Sequence, residues 1–154
     1  MEPVAPGNHK CRGCSFLSEL TLPTALHTIG DSAFRRCTSL TELSLPATVE
    51  IIGSYAFLGC TSLTVLTLPA ALTTIGDEAF RVCTSLTKLD LSAVTTTLGN
   101  GVFAGCTALT KLALPTAMIS ISDCAFYGCM PTCGWQPNLL CCSAYSRAWA
   151  ASPI

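Results

Sequence analysis

The sequence predicts a repeat solenoid of five coils, and three observations carry that reading. Cysteine recurs at positions 14, 37, 60, 83, 106 and 129, each 23 residues after the last. Leucines hold fixed offsets inside each interval, and five of the six phenylalanines fall in one column. A period in the twenties with leucines at constant offsets marks an architecture in which each unit buries its apolar face only by stacking on its neighbours. The units are 15–37, 38–60, 61–83, 84–106 and 107–129; the third reads TSLTVLTLPAALTTIGDEAFRVC. A polar segment, 1–14, precedes them and a cysteine-rich tail without the repeat, 130–154, follows.

The first half of each unit supplies a strand. Leu40, Leu43 and Leu45 of the second unit, and Leu63, Leu66 and Leu68 of the third, give the spacing L-x-x-L-x-L. Its last four residues alternate with the period of two that a half-buried strand requires. Leu43 and Leu45 then point inward, Glu42 and Ser44 outward. Proline follows at 23, 46, 69 and 115, with Ser92 in the fourth unit. A residue without an N–H cannot extend the ladder, so the strand stops there. Phe16 is read as filling the first leucine column of unit one.

The second half, I-G-x-x-A-F-x-x-C, supplies the return. Ile29, Ile52, Ile75, Leu98 and Ile121 form one inward column, and Phe34, Phe57, Phe80, Phe103 and Phe126 another. Rings repeating at about the 4.8 Å strand spacing stack into an internal spine. Gly30, Gly53, Gly76 and Gly99 follow the isoleucine column, with Ser122 in the fifth unit. A recurrent corner glycine suggests positive φ. The column of Gly59, Gly105 and Gly128 also admits Arg36 and Val82, which points to ordinary φ there.

This unit resembles the leucine-rich repeats of the BspA type, known from bacterial and protist surface proteins. The resemblance spans about residues 15–129 and rests on the co-occurrence of the I-G and A-F-x-x-C elements with the leucines. It implies short parallel strands on one face and turns or short helical turns on the other. It also implies adhesion, or binding of matrix and host proteins, and a place at the cell surface or outside the cell. The general leucine-rich pattern expects Asn or Cys three residues after the third strand leucine. Ala25, Thr48, Ala71, Val94 and Ala117 stand there instead, so no asparagine ladder closes this corner. Unit four departs furthest, with Ser92, Thr95 and Val102 at positions elsewhere held by proline, leucine and alanine.

Composition limits the function classes. Hydrophobic residues make up 50% and charged residues 11% of the chain. The inward columns account for that apolar content, and no uninterrupted apolar run approaches the ~18 residues of a membrane span. A net charge of −1 without a basic cluster argues against nucleic acid or an anionic membrane as partner. Met1 to Lys10 has no apolar core of an export signal, and none of Asn8, Asn100 and Asn138 begins a glycosylation sequon. The compartment is left open by these features. An exposed terminal rung offers apolar side chains to any neighbour, so ends lacking polar caps predict self-association. Residues 1–14 look too short and polar to shield unit one. In the tail, Asn138 could cap a helix carrying Leu139, Cys142, Tyr145 and Trp149 on one side, or the stretch could be irregular.

Candidate chemistry is sparse. The chain has eleven cysteines, but those in the repeat column lie a rung apart, near 4.8 Å, beyond the ~3.5–4.5 Å a disulfide requires between Cβ atoms. They are read as free buried thiols. Cys124 shares a column with Ser32, Tyr55, Glu78 and Gly101, a variety that suggests exposure. Cys11 and Cys14 cannot share a zinc ion with Cys129, Cys133, Cys141 and Cys142. Five rungs, on the order of 24 Å, separate the two groups, against zinc–sulfur bonds of ~2.3 Å. No metal or cofactor is expected. His9 and His27 have no clustered partner, and Gly99, Gly101 and Gly105 miss both phosphate-loop spacings. Asp31, Asp77 and Asp123 are read as turn residues accepting nearby N–H groups, and the threonines at 38, 61, 84, 107 and 41, 64, 87, 110 as corner residues bonding locally.

The residues therefore point to a non-enzymatic protein–protein interaction module acting through the outward strand positions. These are Glu19 and Thr21, Glu42 and Ser44, Val65 and Thr67, Lys88 and Asp90, and Lys111 and Ala113. The alternative is a structural array segment of a longer surface protein with no binding role of its own. The register makes a direct prediction. Phe80→Ala should cost about 3–5 kcal/mol as a large-to-small core change, whereas Arg81→Ala next to it should cost under ~0.5 kcal/mol on a solvated surface. Equal losses in a denaturant titration would refute the register.

Overall fold

The computed structural model describes residues 11–92, 97–113, 122 and 124–129. Strand formation follows the leucine pattern. β2 (Glu42–Ser44), β4 (Val65–Thr67), β6 (Lys88–Asp90) and β8 (Lys111–Ala113) each place one leucine inward between two exposed residues. Their register is Glu42 on Val65 and Lys88 on Lys111, an offset of one repeat. Each ends two residues before Pro46, Pro69, Ser92 or position 115. The expected first strand is not formed: Glu19 and Thr21 are exposed but lie outside any strand. Phe16 is 96% exposed, and Leu17 packs against the core. The leucine column of unit one therefore begins at Leu17, and the reading of Phe16 as its member was displaced by one residue.

The return half contains a second set of strands that the leucine pattern does not announce. β1 (Thr28–Ile29), β3 (Ile51–Ile52), β5 (Thr74–Ile75) and β7 (Thr97–Leu98) form a four-stranded parallel sheet in that order. Each is two residues long, with the first exposed and the second buried. No helix occurs among the described residues. Of the expected turns or short helical turns, the return half forms turns, joined from coil to coil by hydrogen bonds. Ser32, Phe34 and Arg36 donate their N–H groups to Ser54, Ala56 and Leu58 of the next coil, at 2.9, 2.8 and 2.7 Å. The intervening Ala33, Arg35 and Cys37 donate within their own coil, to Gly30, Ser32 and Phe34. Alternate peptides thus serve the stack and the turn, and the backbone polar groups of a buried corner are paired without a helix. At the corner that lacks asparagine, Leu26, Val49 and Leu72 donate to the carbonyls of Pro23, Pro46 and Pro69. Thr48 adds its hydroxyl to the carbonyls of Thr24 and Leu26.

This alternation reverses the assignment of the two glycine columns. Gly59, Gly105 and Gly128 have φ of +74°, +75° and +72°, and Arg36 and Val82 in the same column adopt +60° and +62°. The column of Ser32, Tyr55, Glu78, Gly101 and Cys124 is left-handed too. Side chains pay a modest conformational penalty there, and neighbouring coils tolerate it because the inter-coil bonds over-determine the turn. Gly53, Gly76 and Gly99 have no positive φ. Their requirement is closeness: a Cβ on Gly76 would lie 2.6 Å from the Ser54 nitrogen, and one on Gly99 2.6 Å from the Asp77 nitrogen. Ser122 fills this column in the fifth coil and donates its hydroxyl to the Leu98 carbonyl.

Side chains reinforce the stack between coils rather than locally. Thr64, Thr73 and Thr110 donate hydroxyls to Thr41, Glu50 and Thr87 carbonyls 23 residues earlier, at 3.0, 3.0 and 3.1 Å. Asp31 accepts the N–H of Ser54 and Asp77 that of Asn100, both at 2.7 Å. Thr64, Thr110, Asp31 and Asp77, expected to bond within their own turns, thus bond between coils. Asp123 and the expected helix after Asn138 lie outside the described residues.

The core is the predicted spine. Rings of Phe34, Phe57, Phe80, Phe103 and Phe126 stack with centroids 5.2–5.5 Å apart and interplanar angles of 4–12°. Phe80 is fully buried, whereas Arg81 is exposed and pairs with Glu78 at 2.9 Å. Cys37, Cys60, Cys83 and Cys106 are buried free thiols beside the rings. Cys60, Cys83 and Cys106 donate their S–H groups to the carbonyls of Phe34, Phe57 and Phe80 at 3.3, 3.5 and 3.4 Å. Cys14 and Cys129, at the two ends of the column, are exposed and half-buried rather than buried. Cys124 is exposed, as its variable column suggested.

Two predictions follow from this packing. Gly76→Ala should destabilise the fold by about 1–3 kcal/mol, because its methyl group meets backbone that cannot yield. Gly59→Ala should cost no more than about 1–2 kcal/mol, the left-handed penalty that Arg36 and Val82 already meet. Chemical denaturation of the two variants checks the order. Burial pushes the thiol of Cys37 up to about 11 and that of Cys83 up to about 12, from 9.0. Above pH 9 the unfolded chain loses these protons while the folded chain retains them, so stability is fully present below pH 9 and falls as pH rises toward 11. Each such thiol adds a slope of about 1.4 kcal/mol per pH unit across that window. Cys83→Ala should flatten the fall between pH 9 and 11 relative to the parent chain.

Candidate partner-binding face

The outward strand positions share one surface from the second coil to the fifth. Glu42, Ser44, Val65, Thr67, Lys88, Asp90, Lys111 and Ala113 are all exposed, while Leu43, Leu66 and Leu89 between them are buried. Alternation along each strand and the 23-residue register across strands together bring them onto one face. Glu19 and Thr21 are exposed as well, but the backbone that carries them joins the second coil only through Thr41 N–H to the Ser18 carbonyl at 3.5 Å.

The face is not uniform. β2 bonds to β4 and β6 bonds to β8, yet β4 and β6 pack without being hydrogen-bonded. At the same junction the other two sides of the coil stay closed: β5 pairs with β7, and Glu78, Phe80 and Val82 donate to Asn100, Val102 and Ala104 at 2.8–2.9 Å. The third and fourth coils therefore part on the strand side alone. A groove of about 560 Å³ lies across this parting, from Thr64–Leu66 over Thr87–Asp90 to Thr110–Ala113. It gathers Val65, Lys88, Asp90, Lys111 and Ala113 of the expected face and leaves Glu19, Thr21, Glu42, Ser44 and Thr67 outside. Its further walls, Thr64, Thr87 and Thr110 with Leu66, Leu89 and Leu112, were not expected as site residues. The threonine column preceding each strand is the sequence signal that marks the first three, and the central strand leucines are the other three.

The electrostatics of the groove are asymmetric. Val65 is 48% exposed at one side, and Lys88 and Lys111 are register partners at the other. Like charges directly opposite on neighbouring strands repel, and neither lysine forms an ion pair among the described residues. Asp90 is turned to local use. The Ser92 hydroxyl and N–H both donate to its Oδ1, which holds its carboxyl below the usual carboxylate range. No group of three or more His, Cys, Asp or Glu residues able to hold a metal ion occurs among the described residues. His27 is exposed, its ring Nδ1 2.9 Å from the Ala25 carbonyl. No helix among the described residues is long and apolar enough to cross a membrane.

Comparison with solved structures places this geometry among known solenoids. The chain is similar to a leucine-rich repeat protein of T. pallidum, with 28% identity and a TM-score of 0.63 over 73% of this chain and 64% of that one. It is similar to a leucine-rich repeat protein from Bacteroides ovatus, with 28% identity and a TM-score of 0.51 over 68% of this chain and 33% of that one. The chain thus spans less than two thirds of either protein. Comparison with curated proteins gives no match. The model of the BspA type leucine-rich repeat region matches residues 7–132 with six copies. With the 23-residue register, the stacked phenylalanines and the parallel strands in agreement, the chain belongs to the BspA-type leucine-rich repeat family.

Proposed function

We propose that this protein is a non-catalytic recognition module whose strand face binds a protein partner. The observation that supports this most is the parting of β4 from β6, which opens a groove between an exposed valine and two lysines that form no ion pair among the described residues. Apolar surface rimmed by charge is what a recognition patch offers a partner. The outward strand column runs from Glu42 through Val65 to Lys88 and Lys111, so it orients a partner of the opposite polarity. Charges at such a rim act chiefly on association rate and salt dependence. An adhesion-like role at the cell surface is the biological setting that family membership favours, by analogy of fold rather than by chemistry of the site.

A second reading has its own support. The backbone of Cys11 and Gly13 already makes the inter-coil bonds of a further turn, donating to Ala33 and Arg35 at 3.0 and 2.7 Å. The stack that begins at unit one thus extends toward the N-terminus, as an array segment would. Size-exclusion chromatography separates the readings: a self-sufficient module runs as a monomer, an array segment associates through its ends. For the binding face itself the test is an exchange of its charges, Glu19→Lys and Glu42→Lys with Lys88→Glu and Lys111→Glu. All four side chains are exposed, so the fold should persist, while affinity for a captured partner should fall and its salt dependence change. Unchanged binding by this variant would move the interface off the strand face.

A further inference from the structure

The segment Cys11–Cys14 is the end of a repeat in which cysteine has replaced phenylalanine. Cys11 stands 23 residues before Phe34, and Cys14 the same distance before Cys37. The backbone agrees. Cys11 N–H donates to Ala33 at 3.0 Å as Phe34 donates to Ala56 at 2.8 Å. Cys14 N–H returns to the Cys11 carbonyl at 3.2 Å, as Cys37 returns to Phe34 at 3.2 Å. Gly13, with φ of +75°, takes the left-handed position that Arg36 takes in the next coil. In the following coils both side chains of this F-x-x-C turn are buried inside the solenoid. By that equivalence both side chains belong to one closed turn, Cys11 in the Phe34 column and Cys14 in the Cys37 column.

That arrangement differs from the rest of the cysteine column. A hydrogen-bonded four-residue turn brings its end Cα atoms within ~7 Å, and a disulfide spans Cα separations of ~4.4–6.8 Å. The thiols of Cys60 and Cys83 belong to separate coils and are each donated to a phenylalanine carbonyl. Cys11 and Cys14 share one turn. Cys14 is exposed to an oxidant, and Cys11 is half-buried against the core. Burial and the neighbouring Cys14 thiol push the Cys11 thiol up from its usual value, and the Cys14 N–H to Cys11 carbonyl bond at 3.2 Å closes the turn that carries both.

We propose that Cys11 and Cys14 form a reversible intrachain disulfide, a redox-sensitive cap over the first ring of the phenylalanine spine. The oxidant is a small-molecule disulfide. Cys14 thiolate attacks one of its sulfurs and expels a thiolate; Cys11 thiolate then attacks Sγ of Cys14 and expels the second. One S–S bond forms and one breaks, two electrons pass from the protein to the oxidant, and the two cysteine protons end on the two released thiols. The product lays sulfur against Phe34 where later coils lay a ring, a favourable contact in itself. Because the closed loop is only four residues long, its entropic effect on stability is small, and the signature is chemical.

The full chain is equilibrated in glutathione buffers from fully reduced to fully oxidised, quenched, alkylated and mapped by mass spectrometry. The expected result is the loss of two alkylatable thiols, located at Cys11 and Cys14 in one chain and restored by reduced glutathione. Cys14→Ser and Cys11→Ser should each abolish that crosslink, while Cys124→Ser, exposed in another turn, should leave it intact. Both cysteines remaining alkylatable in oxidised buffer would overturn the proposal. So would pairing of Cys14 with Cys37, with a tail cysteine or with a second chain. The parent chain alone decides the matter if a serine variant does not fold.

Discussion

Coils of this protein are joined on their turn side by backbone N–H groups that point along the solenoid axis, and much else is a consequence of that bond. Ser32, Phe34 and Arg36 reach the second coil in this way, Tyr55, Phe57 and Gly59 the third, and Glu78, Phe80 and Val82 the fourth. For alternate N–H groups to leave the plane of the coil, the chain must pass through left-handed φ twice per turn. Those positions accept arginine, valine, tyrosine and glutamate as well as glycine because each is held by bonds on both sides. The same bonds set the rung spacing, which stacks the phenylalanine rings nearly parallel and brings the thiols of Cys60, Cys83 and Cys106 within reach of a phenylalanine carbonyl of the coil before, and that of Cys37 within reach of the Cys11 carbonyl. One peptide at Phe34 thus donates forward, accepts from Cys37 in its own coil and accepts the Cys60 thiol from the next.

The three sides of the coil are unequally bound. The turn side and the β1–β3–β5–β7 side are continuous where the strand side is interrupted between β4 and β6. Rigidity on two sides lets the third part without loss of the stack. It is on this side that residue identity is free to vary, since an outward strand side chain meets no neighbour that constrains its volume. Close packing therefore governs what the inward columns can be, and the proposed recognition face lies on the side where packing is most open.

Cysteine serves two purposes in one column. Inside the stack it is a small apolar filler whose S–H group satisfies a carbonyl, and burial keeps the reactive thiolate scarce. At the N-terminal end of the described stack the same residue type, now doubled by the replacement of phenylalanine at position 11, sits in a turn open to solvent at Cys14. Identical spacing thus yields buried thiols inside the stack and an exposed one at Cys14.

The 23-residue period determined, without any coordinates, which columns face inward, where the leucine strands of units two to five run and stop, and that the phenylalanines form one stack. It could do so because burial recurs with the repeat, so a column's composition reports its environment. Composition misled where two environments share a preference. Glycine at 53, 76 and 99 answers to the nearness of another backbone, and glycine at 59 and 105 to the sign of φ. Either cause enriches the same residue, and only coil-to-coil distances separate them. A two-residue strand such as Thr28–Ile29 is too short to show alternation, so the second sheet appeared only in three dimensions. The parting of β4 from β6, and with it the groove, was likewise decided by tertiary structure, because a period describes what consecutive coils have in common and is silent about one junction that differs.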